Sequence, residues 1–309
     1  LRLGLGSLSE EQIPRFIATM RNGGLFFVPL IVLTVALLKG YTPTMVGVFG
    51  SFTVLVVAML KSETRIGLLN LFNVLSETCY RMVPVAGACA AAGLVIGGIT
   101  MTGLAGKFAH VVYGITDAQM LPTLALTAVV TIVLGMGMPT PSAYILAAAL
   151  MTPILTKLGI PTMGAHMFVL YYAVMSALTP PVAVAAYAAS SIAEDNPLYI
   201  ALLAVKFALA AFIIPFAFIF GPELLMVGAA TSILFSLVTA IVGLIVIASA
   251  VEGYFTEPLS FVTRIILAIG GLALVAPNIL AGGIGFILVT IVLGPSIYKM
   301  IYSKYFNLS

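Results

Sequence analysis

Charge is scarce in this chain: Asp, Glu, Lys and Arg together make up 7% of its 309 residues. A soluble domain of this size carries several times that fraction, so water is excluded as the main solvent of its surface. Cysteine is nearly absent. Cys79 and Cys89 have no metal-ligand companions at useful spacing and read as small packing residues rather than a disulfide. The only histidines, His110 and His166, pair with neither each other nor a nearby carboxylate, and read as interfacial residues. H-E-x-x-H, P-loop and G-x-S-x-G elements are all missing, so no nucleophile–base or metal-ligand set for an enzyme is present. Residues 1–22 are polar and lack the basic start and apolar core of a signal peptide. Because the chain opens on Leu1, a piece of a longer polypeptide is expected. The net charge of +3 is dispersed between apolar runs, which excludes a nucleic-acid footprint.

What is abundant is apolar: 62% of residues, with a mean hydropathy of +1.22. The expected fold is therefore an all-α polytopic membrane protein. Runs long enough to span, or nearly so, lie at about 24–38, 44–60, 82–102, 227–250, 261–276 and 279–298. Between 120 and 220 the pattern is less regular: 121–135 and 141–157 flank one break, 164–192 contains another, and 197–220 reads as a helix carrying Lys206. Residues 64–81 place Leu68, Leu71, Phe72, Leu75 and Cys79 on one face, as in an amphipathic helix lying along the membrane. Asn196-Pro197 starts a second interfacial segment, from which Lys206 would snorkel before a span begins near Phe207. A functional intramembrane lysine is the other reading of Lys206.

The two breaks carry the functional reading. The first is Gly135-Met-Gly-Met-Pro-Thr-Pro-Ser142 and the second Ser176-Ala-Leu-Thr-Pro-Pro181. Gly135 and Gly137 allow close backbone approach. Pro139, Pro141, Pro180 and Pro181 remove donors and disfavour helix before them, freeing carbonyls and N–H groups at membrane depth. Such backbone is tolerated only inside protein or beside water, and it marks solute or ion sites. Thr140, Ser142, Ser176 and Thr179 add hydroxyl oxygens. With no carboxylate in either break, the donor set suits a monovalent hard cation such as sodium better than a divalent metal or a proton relay. Pro84, Pro153 and Pro215 read as packing kinks, and Gly93-x-x-x-Gly97 as helix packing. The sequon at Asn307 carries no meaning.

Lysine and arginine bias orients the chain. With residues 1–22 cytoplasmic, Arg2, Arg15, Arg21, Lys61, Arg65, Arg81, Arg264, Lys299 and Lys304 fall inside, and Lys39, Lys107 and Lys157 outside. Both termini of the segment are then cytoplasmic. Residues 121–157 must enter and leave on the outer side as a re-entrant hairpin, and 164–192 crosses inward.

The runs 135–161 (GMGMPTPSAYILAAALMTPILTKLGIP) and 165–197 (AHMFVLYYAVMSALTPPVAVAAYAASSIAEDNP) closely resemble the fused permeases of tripartite ATP-independent periplasmic (TRAP) transporters. Residues 85–108 and 215–225 match as well, and 250–259 more weakly. The resemblance implies an elevator-type transporter built of two inverted repeats, this chain being the second, C-terminal half. It implies a division into a tail and first two scaffold-type spans (1–63), an arm (64–81), and a transport region (82–196) with hairpin 121–157 and broken helix 164–192. A second arm and span (197–225) and C-terminal helices (226–309) would follow. It further implies sodium-coupled import of organic acids in a bacterial or archaeal inner membrane, with sodium as the coupling ion and no cofactor. Partners would be a periplasmic solute-binding protein, the missing first repeat and a small four-helix membrane portion. The residues matching the family's hairpin tip are Gly135, Gly137, Pro139, Thr140 and Ser142, and those matching its unwound segment are Ser176, Thr179, Pro180 and Pro181. Gly135, Thr140, Ser176 and Thr179 are the expected sodium ligands. A proton-coupled carboxylate or anion carrier of related architecture and a non-transporting assembly subunit are the competing functions.

Overall fold

The computed structural model describes residues 16–61 and 64–306, and these are almost entirely helical. Most of the expected cytoplasmic tail (1–15) and the sequon at Asn307 lie outside the described residues. The chain divides into two compact units, the first ending at Val83 and the second starting at Pro84.

In the first unit, α1 (Phe16–Gly23) leads through a 3-10 turn into α2 (Val28–Leu38), and α3 (Pro43–Leu60) packs against α2. Pro29 and Pro43 each stand in the first turn of their helix, where a missing N–H costs nothing. Gly50 lets Leu33 approach: a methyl group there would lie 2.5 Å from Leu33 Cδ2.

α4 runs from Leu68 to Thr102. The expected division between an interfacial segment ending at 81 and a span starting at 82 is not a break in the helix. Pro84 sits inside it without interrupting it, and Glu77 and Arg81 pair at 2.6 Å along its exposed face. Gly103, left-handed at φ +63°, ends α4 and opens α5 (Leu104–Thr116), a helix the hydrophobic runs did not single out.

The core of the second unit is built by α6 (Met120–Gly135), α7 (Thr140–Lys157) and α8 (Thr162–Met175) with α5 and α11 (Ile214–Phe220). Thr116 at the end of α5 bonds Thr123 at the start of α6 at 2.9 Å, and Tyr113 donates to the Ile154 carbonyl late in α7 at 2.7 Å. The start of α6 and the end of α7 therefore lie near the same helix, α5. α6 and α7 form an antiparallel helical hairpin whose tip is residues 136–139. Leu124, Ala128, Ala147, Met151 and Leu155 share its buried interior with Phe168 and Tyr172 of α8.

After α8 the chain leaves the helix at Ser176 and resumes as α9 (Val184–Ala193). Asn196 then caps α10 (Pro197–Ala208), accepting from the N–H groups of Leu198 and Tyr199. The expected helix over 197–220, with its span beginning near Phe207, is two helices: α10 and the Ala211–Phe220 stretch meet at 60°. Pro215, expected as a kink, stands in the first turn of α11. Among the described residues three helices are long and apolar enough to cross a membrane, Pro43–Leu60, Leu69–Thr102 and Ala230–Glu252, or four with the bent pair as one span.

The C-terminal helices α12 (Ala230–Glu252), α13 (Phe261–Val275) and α14 (Ile279–Phe306) pack through glycines. A methyl group on Gly243 would fall 2.8 Å from the Gly271 carbonyl, and one on Gly285 2.6 Å from the Gly270 carbonyl. Such small residues let backbones meet where lipid gives no hydrophobic drive to associate. Arg264 closes the far end of α12, donating to the carbonyls of Ala250 at 2.7 Å and Val251 at 3.0 Å.

Candidate functional site

The hairpin tip begins where α6 stops. Gly135 is its last residue and is buried, Met136 turns extended, and Gly137 takes φ +76°, a conformation that costs a side-chain-bearing residue energy. Met138 N–H bonds the Gly135 carbonyl at 3.2 Å, closing the turn, and Pro139 stands at the N-cap of α7. Thr140 and Pro141 follow in the first turn of α7, and Ser142 is fully buried. Among the described residues the carbonyls of Met136, Gly137 and Met138 accept no hydrogen bond, and the Thr140 hydroxyl has no partner.

The second break is tighter. Ser176 is 2% exposed and donates its hydroxyl to the Ala173 carbonyl at 2.7 Å. Successive short-range bonds from Ala177, Leu178 and Thr179 N–H wind the chain down, and Thr179 donates its hydroxyl to the Met175 carbonyl at 2.9 Å. Pro180 and Pro181 are joined by a cis peptide bond. Ala183, fully buried and left-handed at φ +34°, restarts the helix, and Ala185 N–H reaches back to the Ala177 carbonyl at 3.1 Å. The prolines supply no N–H, so the carbonyls of Leu178, Pro180 and Pro181 are left without donors among the described residues.

The two breaks meet. A methyl group on Gly135 would lie 2.5 Å from Ser176 Oγ and 2.9 Å from its Cβ, and one on Gly137 3.5 Å from Val182 Cγ1. Only glycine at 135 lets the hairpin tip close on the end of α8. Ser142 belongs to the same place through its neighbour Ala143, whose Cβ would lie 3.4 Å from a methyl group on Gly135. Pro139, Thr140, Thr179, Pro180 and Pro181 stand in the same two segments, with no hydrogen bond joining them across the gap among the described residues. Between 134 and 193 the only basic or acidic side chains are Lys157 and His166, so the place is built of neutral oxygens. Among the described residues no cluster of His, Cys, Asp and Glu could hold a metal.

A family model for the tripartite ATP-independent periplasmic transporter, DctM component, matches residues 2–233. The chain belongs to this family. It is therefore a component of a TRAP permease, a multi-pass inner-membrane protein that moves a solute delivered by a periplasmic binding protein, and not an enzyme. Its tripartite partners are that binding protein and the small membrane component of the same system. No curated protein and no solved structure matches the chain. Both breaks of this TRAP permease lie within the matched residues, while α13 and α14 lie beyond them.

Four further features of this TRAP permease chain are tertiary. Cys89 of α4, expected as a packing residue, packs at the hairpin tip: its Sγ lies 3.3 Å from Ser142 Oγ. His166 is half-buried, with Nδ1 2.8 Å from the Tyr144 hydroxyl, joining α8 to α7, whereas His110 is exposed. Lys206 pairs with Glu252 of α12 at 2.7 Å, with both side chains partly exposed. Finally, Thr127 and Thr131 of α6 and Thr152 of α7 are buried with hydroxyls that have no partner among the described residues. The i, i+4 spacing of Thr123, Thr127, Thr131 and Gly135 was the one signal of this polar face in the sequence.

Proposed function

We propose that this chain is the C-terminal half of a sodium-coupled importer of organic acids, and that its two breaks form that half's sodium site and one wall of the solute site. One observation carries the reading: Gly135 at the hairpin tip is in van der Waals reach of Ser176, so two oxygen-rich interruptions become one locus. Unpaired carbonyls, the unpaired Thr140 hydroxyl and the Ser176 and Thr179 hydroxyls, which donate to backbone carbonyls and keep oxygen lone pairs, match a monovalent hard cation in the absence of a carboxylate. Gly135, Thr140, Ser176 and Thr179 are the proposed ligands, flanked by Gly137, Pro139, Ser142, Pro180 and Pro181. The start of α7, with its free N–H groups, favours an anionic group of the solute.

In this reading the α6–α7 hairpin is re-entrant from the outer face, α8 and α9 form the broken crossing helix, and both termini of the segment are cytoplasmic. α10, bent away from α11 by 60°, is the arm linking the transport region to the C-terminal helices. The amphipathic start of α4 is the other arm, continuous with its span. A first repeat, supplied elsewhere in the same permease, completes the site.

Uptake by the complete assembly in proteoliposomes tests this. Replacing external sodium with choline while holding the proton gradient should abolish uptake. Undiminished uptake in choline would instead identify a proton-coupled carrier, and an assembly binding neither sodium nor solute would identify a structural subunit.

A further inference from the structure

At one end of the C-terminal bundle lies a cavity of about 460 Å³, remote in sequence from both breaks and partly beyond the residues the family model matches. That volume is in the range of small-molecule sites. It is lined by the 3-10 turn Pro222–Leu225, the first half of α12, the end of α13 and the start of α14. Its polar lining is rich in acceptors. Glu223 is the only ionisable residue on its wall and forms no ion pair among the described residues. Ser232, Ser236 and Thr239 fall on one face of α12 at helical spacing. The hydroxyls of Ser232 and Ser236 are not spent on the carbonyl four residues back, as those of Ser249 and Thr290 are.

The end of α13 adds to this. Leu274 and Val275 of its last turn line the cavity, with Ala276 and Pro277 just beyond. A helix C-terminus carries a partial negative charge. Glu223 is held in place by close packing around its turn. A methyl group on Gly221 would fall 2.3 Å from Pro277 Cβ and 3.3 Å from Glu223 Oε2, and one on Gly228 3.5 Å from Glu223 Cγ. The remaining wall is largely apolar, with Phe235, Leu224 and Leu274, and is completed by Thr231 and Asn278.

A carboxylate, the two free hydroxyls of Ser232 and Ser236 and the negative end of a helix, with no basic residue among them, match a group that offers several N–H donors and a positive charge. An ammonium offers three. A bare cation would leave the volume and its apolar wall unused. We propose that this cavity binds a primary ammonium group carried on a short apolar stem, with Glu223 as its counter-charge and Ser232 and Ser236 as acceptors. The same chemistry occurs in soluble alkylamines and in the headgroups of aminophospholipids.

Thermal unfolding of the complete permease assembly in detergent, titrated with n-butylamine and separately with n-butanol, tests this. Butylamine should raise the midpoint and butanol should not. Glu223→Gln should raise the half-saturating amine concentration about tenfold or more, the loss expected for one charge-assisted hydrogen bond. A Ser232→Ala/Ser236→Ala variant should raise it a few fold, and it serves if Glu223→Gln does not fold. Phosphatidylethanolamine that suppresses the butylamine shift, where phosphatidylglycerol does not, would identify the lipid headgroup as the natural occupant. No suppression would identify a soluble amine. Equal shifts from butylamine and butanol, or wild-type half-saturation in both variants, would overturn the proposal.

Discussion

Gly135→Ala is the perturbation that the geometry makes most specific. The added methyl would sit 2.5 Å from Ser176 Oγ and 2.9 Å from Ser176 Cβ, against an ordinary carbon contact of about 3.5–4.0 Å. Ser176 cannot swing away cheaply, because it is buried and its hydroxyl is bonded to the Ala173 carbonyl. Either the tip or the end of α8 must therefore move by roughly 0.5–1 Å. Overpacking of this kind costs about 1–3 kcal/mol. Set against it is the helix preference of alanine over glycine, up to about 1 kcal/mol and smaller at a helix end. The net expectation is a loss of about 1–2 kcal/mol together with displaced oxygens at the proposed sodium site. Thermal unfolding of the complete assembly with and without sodium measures both effects. Gly135→Ala should lower the midpoint and blunt its rise with sodium. Ser176→Gly on the Gly135→Ala background removes both clashing atoms and should recover stability, a coupling of about 1–3 kcal/mol in the double-mutant cycle. Additive effects of the two substitutions would refute the contact between the breaks.

Two further outcomes follow from the same region. Cys89, against Ser142, should react with a small membrane-permeant thiol reagent, and sodium should slow that reaction, whereas exposed Cys79 should react at one rate in either salt. Sodium-independent labelling of Cys89 would place it away from the site. Thr127→Val and Thr131→Val keep shape while removing a buried hydroxyl without a partner, so each should be neutral or stabilising by about 1 kcal/mol in thermal unfolding. A loss of more than about 1 kcal/mol would mean that the hydroxyl is satisfied in the membrane.

The breaks themselves were legible because glycine and proline act locally. Gly137 takes the positive φ its lack of a side chain permits, and Pro139 and Pro181 end and restart helices by removing donors. The expected turn between 121–135 and 141–157 is where α6 and α7 pack antiparallel, at residues 136–139. Features decided by packing left no such local mark. The change from interfacial segment to span near Phe207 was legible, but nothing in Ala208-Leu-Ala-Ala211 gives the 60° angle there, and Pro84, a breaker by type, stands inside α4 without ending it. The pairing of Lys206 with Glu252 joins residues forty-six apart. The contact of Gly135 with Ser176 joins two motifs whose local signals are independent. A Gly/Pro break says where the chain unwinds, and only the fold says that both unwound places are one.

Sodium binding by the complete assembly carrying Thr140→Ala and Thr179→Ala together is the most direct measurement of the central claim. Wild-type assembly should bind radiolabelled sodium saturably, and the double variant, still folded by its unfolding midpoint, should lose at least one bound ion per copy of this chain. Wild-type stoichiometry and affinity in the folded double variant would contradict the assignment of the joined breaks as a sodium site.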